Sequence, residues 1–344
     1  MIKHVLKICA GLVALTAAIG FGPIGFTQAA SAQEAAEISI TRQPSILYLP
    51  AQVMEKQKLI EKHAAALGLP DLKVNWVIFT GGGAATDALL SGNVDIVNSG
   101  VGNMLLLWDR THGAVKGIIT NSAQPVLLIS RDPRIKTLAD FGPTDKIAVP
   151  TVRISTQAIL LQMAAAQAFG ADQWGKLDGN TVQLGHPDAA AALANTKHEV
   201  ANHFSAPPYD YRELKTVPGA HVVLRSEDVI GGPLSQSTLF TTTKFAEANP
   251  KIIQAVMDAS KEAVDFVLAH PAEALAIYRE VTGDKTSLED LTDLMKQPGM
   301  MDYQVDPAGT MKFATHLNMV GILKSKPASW TDYFLPQAAG LHGS

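Results

Sequence analysis

Beyond Gln33, short runs of β-favouring residues alternate with helical stretches, and many of the joints between them carry glycine. A chain in this order builds an α/β protein, with strands covered by the helices that connect them. Strands are expected at 38–42, 74–79, 94–98, 116–120, 126–130, 147–149, 181–184, 199–203, 222–225 and 237–241. Helices are expected at 49–67, stopped by Gly68 and Pro70, and from Gly81-Gly82-Gly83 through Leu90. Three more are expected at 103–109, at 156–169 (stopped by Gly170) and at 188–194. After Asn249-Pro250 the chain reads as mostly helical, with a break at His270-Pro271. Asn121-Ser122-Ala123-Gln124-Pro125 and Gly231-Gly232-Pro233 read as two crossings between lobes.

A length of 344 residues suits two domains of ordinary size. With 47% hydrophobic and 17% charged residues, there is ample material for a core, which excludes a disordered chain. The net charge of -4, the lack of a basic block and the 6% aromatic content argue against a nucleic-acid partner.

Lys3 and Lys7, the apolar run 8–21 and Ala30-Ser31-Ala32 have the pattern of a cleaved signal peptide covering residues 1–32. The run is shorter than the ~20 residues that span a bilayer, so stable membrane insertion is not expected. Cleavage removes Cys9, the single cysteine. The mature chain is then an exported, periplasmic protein with no thiol, disulfide or lipid anchor. Thiol catalysis, cysteine–zinc sites and iron–sulfur clusters drop out together.

Candidate ligand contacts gather at strand-to-helix joints. Gly82 and Gly83 leave bare amides at a helix N-terminus, where partial positive charge favours an anion. The loop lacks the Gly-Lys-Ser/Thr of a phosphate loop and the G-x-G-x-x-G of a dinucleotide site. Ser99 and Asn103 flank Gly100-Val101-Gly102, where backbone approaches closely and a polar side chain caps the next helix. Arg153, Ser155 and Thr156 repeat the arrangement with a cation whose planar fork matches carboxylate or sulfonate oxygens. Arg42 is a second candidate cation. His203 and Phe204 run into Pro207-Pro208 and Tyr209, a stiff wall suited to a small ligand.

Residues 184–203 echo residues 80–99 at an offset of 104, pairing Leu89 with Leu193 and Asn98 with Asn202. The echo predicts similar β-loop-helix-β units facing one cleft. His186, His198, His203 and Glu199 lack metal-ligand spacing, and no G-x-S-x-G elbow occurs. No catalytic residue, metal or cofactor is expected; the residues suit holding rather than transforming. Met295, Met300, Met301 and Met311 read as core packing.

Several stretches carry a family likeness: Ala88-Leu89-Leu90-Ser91-Gly92-Asn93-Val94-Asp95, Ile135-Lys136-Thr137-Leu138-Ala139-Asp140-Phe141, Ile147-Ala148-Val149-Pro150, and Phe245 followed by Asn249-Pro250. In this order and spacing, over about 38–283, the chain resembles the periplasmic substrate-binding proteins of nitrate/sulfonate/taurine (NitT/TauT) ABC importers. The resemblance implies a two-lobe periplasmic-binding-protein fold of type II with a ligand cleft between lobes. Lobe 1 would comprise 36–122 plus 238–344, and lobe 2 residues 123–237. It places ligand loops at 43–48, 80–84, 99–103, 151–156 and 203–207, adding Ser45 and Tyr48 to the candidates. It also implies an ABC transporter permease, with its ATPase, as partner; a monomer is expected.

Thr196-Lys197-His198-Glu199-Val200-Ala201 stands where the family often has Gly-x-Val-Asp-Ala, so ligand identity transfers least. The leading expectation is a small organic anion, sulfonate or carboxylate, with Arg153 at its charged end. The alternative is a neutral heterocycle between Phe204 and Tyr48, such as a pyrimidine-type thiamine precursor. An enzyme on the same fold would resemble the pyrimidine-synthesising relatives, whose cysteine-rich motif the mature chain lacks. A third role is a binding lobe that reports to a sensor.

Overall fold

Two five-stranded sheets share one plan in the computed structural model of the chain, which describes residues 34–344. The signal-peptide expectation and Cys9 lie outside the described residues. The first sheet contains β1 (Glu37–Arg42), β2 (Lys73–Ile78), β3 (Ile96–Ser99), β4 (Val115–Ser122) and β10 (Ser237–Thr242). The second contains β5 (Leu127–Ser130), β6 (Lys146–Val149), β7 (Thr181–Gln183), β8 (Val200–Ser205) and β9 (His221–Arg225).

Their orders are β2-β1-β3-β10-β4 and β7-β6-β8-β5-β9. In each, three parallel strands are followed by one antiparallel strand, β10 in the first sheet and β5 in the second. The two-lobe periplasmic-binding fold expected from the sequence is the one that forms. The internal echo has a structural counterpart: β3 and β8 both hold the third place. Helices Gly82–Leu90 and His186–Ala194 precede them, with Leu89 and Leu193 buried.

The chain leaves the first sheet after Ser122 and returns to it at Ser237. The two passages touch, since the Gln236 amide donates to the Ser122 carbonyl at 2.8 Å. The first passage is shorter as free chain than expected, because Asn121 and Ser122 still belong to β4, while the second runs on past Pro233 until β10 begins at Ser237.

Helix Thr156–Phe169 has the expected bounds: the Ser155 hydroxyl accepts the Ala158 amide at 3.3 Å, capping its start. The stretch 49–67 departs from expectation. It divides into Leu49–Gln57 and Leu59–Ala66 at Lys58, which takes a left-handed φ of 53°. That kink lets both pieces pack on helix Pro250–Ala269, whose Ile252, Ile253 and Val256 meet Ile40, Ile96, Ile119 and Leu239 of the first sheet. Fully burying such aliphatic side chains stabilises by about 1.5–3 kcal/mol each. Helix Tyr209–Thr216 was not anticipated; Pro208 ends the wall and serves as its N-cap.

The C-terminal segment closes over the first sheet. The Leu335 amide donates to the Gly117 carbonyl at 2.8 Å, and a Cβ on Gly117 would lie 2.6 Å from the Phe334 ring. Met295 and Met300 are buried, and Met301 and Met311 pack against core clusters, as expected.

Candidate functional site

Strand-to-helix joints from both sheets meet around one polar cavity of about 30 Å³. That is room for roughly two water-sized groups. The first sheet's half contributes Gln43, Tyr48, Gly82, Ser99, Gly100 and Asn103. The second contributes Thr151, Ser155, Thr156, Gln157 and His186, and Gln236 enters from the returning passage. Among the described residues that line it, none is Asp, Glu, Lys or Arg.

Four helices begin here: Gly82–Leu90, Val101–Arg110, Thr156–Phe169 and His186–Ala194. Each N-terminus carries about half a unit of positive charge and unspent amide donors. The convergence depends on glycine at one close approach. A Cβ on Gly82 would sit 2.3 Å from the Ser99 oxygen and 2.7 Å from Asn103 Oδ1.

Three lining donors are buried without a partner: Asn103 Nδ2, the Thr156 hydroxyl and Gln236 Nε2. Leaving such a group unpaired costs about 1–3 kcal/mol, so each is a candidate ligand contact. A larger cavity, about 460 Å³, lies elsewhere against Pro125, Leu127, Leu214, Val222, Leu294 and Met300. Its wall is mostly apolar and none of the four helix starts reaches it.

Of the residues singled out from sequence, Tyr48, Gly82, Ser99, Asn103, Ser155 and Thr156 line the cavity. Gly83 does not line it; a Cβ there would meet the Thr151 side chain at 3.4 Å. Ser45 is also outside it. Its oxygen accepts the Leu47 amide at 3.1 Å and its hydroxyl donates to the Pro207 carbonyl, a tie between the two halves.

Arg153 is a correction. Its left-handed φ of 64° turns the 151–155 loop so that Ser155 and Thr156 face the cavity while the guanidinium faces solvent. The side chain is 71% exposed, and its nearest acid is Asp178, at 3.5 Å. Arg42 is also spent elsewhere, bonding both Glu55 oxygens at 2.9 and 3.0 Å and the Val281 carbonyl at 2.9 Å.

Phe204 is the second correction, because it is fully buried in the core. Successive side chains of a strand point to opposite faces, so His203 and Phe204 of β8 cannot share one wall. His203 does not line the cavity either, but stands directly behind His186. Tyr209 stacks on His186 with ring centroids 5.9 Å apart.

Sequence reading missed His186, Gln43, Thr151, Gln157 and Gln236 as individual contacts. For His186 a signal existed: Gly185-His186-Pro187 has proline in the first helical turn, which starts the helix two residues before Asp188.

Burial raises the Tyr48 phenol far above its ordinary range, which keeps it a hydrogen-bond donor. Burial, and next the neighbouring His203, hold His186 well below the usual histidine value, so it is neutral. Behind it, His186 Nδ1 lies 2.9 Å from His203 Nε2, and His203 Nδ1 lies 2.6 Å from Glu213 Oε1. These three stand in line rather than around a point. Among the described residues no group of three His, Cys, Asp or Glu gathers as metal ligands would.

The family described as NMT1/THI5 like matches residues 68–274. The chain belongs to the NMT1/THI5-like family. No curated protein matches this NMT1/THI5-like chain in sequence. Solved structures similar to it include the alkanesulfonate-binding protein SsuA from Xanthomonas axonopodis pv. citri bound to MOPS. That likeness has a TM-score of 0.68 at 16% identity and covers 88% of this chain and 99% of the other. The periplasmic aliphatic sulphonate binding protein SsuA from Escherichia coli gives 0.62 at 20% identity, over 84% and 94%. The periplasmic nitrate-binding protein NrtA from Synechocystis PCC 6803 gives 0.66 at 17% identity, over 87% and 84%. The family match and these neighbours bear out the kinship with nitrate/sulfonate/taurine binding proteins. At such identities the structural likeness establishes the fold of the NMT1/THI5-like chain.

Proposed function

We propose that this protein is an extracytoplasmic solute receptor that binds the head group of a small organic anion, of sulfonate or carboxylate type, and delivers it to an ABC importer. The observation that carries this reading is the meeting of four helix N-termini and three unpartnered donors around a cavity without acidic side chains. Helix starts and neutral donors accept an anion without a cation in contact with it. They replace Arg153 in the role expected from sequence.

Residues 36–122 with 238–344, and 123–237, act in this reading as two lobes joined by the paired passages. A ligand held by both lobes favours their closed arrangement, and a permease recognises that arrangement. The receptor works as a monomer in the periplasm after removal of residues 1–32, and binds without turnover. The likenesses to sulfonate- and nitrate-binding proteins support the anion class. Among the described residues, no helix is long and apolar enough to cross a membrane.

The test is thermal unfolding of the mature protein, previously unfolded and refolded to strip carried-over ligand. The panel holds alkyl sulfonates, taurine, nitrate, aromatic carboxylates and pyrimidines. A ligand at a hundred times its dissociation constant adds about 2.7 kcal/mol, a rise of several degrees. Stabilisation by sulfonates or carboxylates is expected. Stabilisation by pyrimidines alone would overturn the anion assignment.

A further inference from the structure

His186 is the only imidazole lining the cavity among the described residues, and what it offers a ligand depends on two side chains that never reach the cavity. Its Nδ1 faces His203 Nε2 at 2.9 Å, and His203 Nδ1 faces Glu213 Oε1 at 2.6 Å. His203 and Glu213 are 0% and 2% exposed, so water does not supply or remove their protons freely. Every contact in such a line needs one proton, which couples the protonation of all three groups.

Two arrangements satisfy both contacts with His186 neutral. In the first, the line carries a net negative charge. Glu213 is a carboxylate, His203 is neutral with its proton on Nδ1, and His203 Nε2 accepts from His186 Nδ1–H. His186 Nε2 is then a bare lone pair.

In the second, the line is neutral overall. Glu213 and His203 hold one more proton between them, so His203 Nε2–H donates to His186 Nδ1. His186 then carries its own proton on Nε2. This holds whether the shared proton sits on Glu213 or on His203 Nδ1.

The surroundings decide between them. The first arrangement leaves a buried carboxylate without a counter-ion, its Oε2 unpartnered. An uncompensated buried charge costs several kcal/mol. Other groups nearby do not relieve it. Asp210, on the same helix, is itself a buried carboxyl held towards its neutral form and offers no positive charge. Arg225 acts on Asp210, Arg212 lies over the Tyr209 ring at 5.0 Å, and Asp188 and Asp284 bear on Tyr209.

We propose that Glu213 and His203, acting as positioning residues, hold His186 in its Nε2–H tautomer, so that the cavity presents a fixed donor selective for a hydrogen-bond-accepting oxyanion. Gln157 Nε2 is placed 3.4 Å from His186 Nε2, and an Nε2–H tautomer requires the Gln157 amide the other way round, with its oxygen accepting that proton. The buried pair thus polarises the site from behind, where no cation lines it. The ligand class rests on the function proposed above; the tautomer does not.

The deciding experiment is nitrogen-15 NMR of histidine-labelled, ligand-free mature protein across neutral and alkaline pH, with His186→Gln used to assign the His186 signals. A protonated Nε2 and a bare Nδ1 on His186 at neutral pH are expected. A bare Nε2 there overturns the proposal, whatever the protein binds. In Glu213→Leu the shared proton loses its second holder and His203 can take either tautomer, so the His186 signals are expected to show a bare Nε2 in part of the population. His186 signals identical to wild type in Glu213→Leu also overturn the proposal. Failure of methanesulfonate to bind while Nε2–H is observed counts against the ligand class and leaves the tautomer standing.

Discussion

Gly102 and Ile154 face each other across the seam between the two halves, and a Cβ on Gly102 would lie 2.7 Å from the Ile154 carbonyl oxygen. The same Cβ would meet the Ile159 side chain at 2.5 Å. One contact is backbone, which cannot rotate away, so the seam itself must widen.

Gly102→Ala is therefore expected to push the 151–156 loop off the first sheet's half. Overpacking of this kind costs about 1–3 kcal/mol. Affinity for a panel ligand should fall at least tenfold, read by calorimetric titration, with the fold retained by circular dichroism. Unchanged affinity would show that the seam does not need this closeness.

Thr156→Val tests a donor whose two effects have opposite signs. The Thr156 hydroxyl is buried without a partner, so removing it should raise ligand-free stability by about 1 kcal/mol. The same change deletes a ligand contact, and affinity should drop about tenfold. Urea unfolding and titration of one preparation report both. A loss of stability together with unchanged affinity would remove Thr156 from the site.

Arg153→Ala should leave anion affinity within about twofold and stability within about 0.5 kcal/mol, as usual for exposed positions. The guanidinium points to solvent and away from the cavity. A large affinity loss in titration would bring this cation back into the site.

Asp210 links stability to pH. Burial first, and the charge of Glu213 next, push its carboxyl up to about 7 from an ordinary 3.8. The folded state then holds a proton that the unfolded chain has released, so stability is complete below pH 4 and declines as pH rises to 7. The decline from this group is on the order of 4 kcal/mol. Asp210→Asn should flatten that slope in urea titrations between pH 4 and 8; a slope equal to wild type would place the effect elsewhere.

Local order was legible in the residues themselves. The β/α alternation, the Ser155 cap and the helix it starts depend on neighbours a few positions apart, and the echo at offset 104 is one such local pattern written twice. So did the loops around Gly82, Ser99 and Thr156, since strand-to-helix joints expose amides wherever they occur. Which side chain faces the cavity was a different matter. Arg153 was lost to a left-handed turn and Phe204 to strand alternation within a buried sheet. His186, His203 and Glu213 come from a helix start, a strand and another helix, and only the packing of those elements sets them in line. β10 reaches its place between β3 and β4 after more than a hundred intervening residues. Periodicity and capping are short-range, and the sequence therefore determined the elements and their joints. Side-chain direction and long-range register are settled by burial against distant partners, and only the tertiary structure decided those.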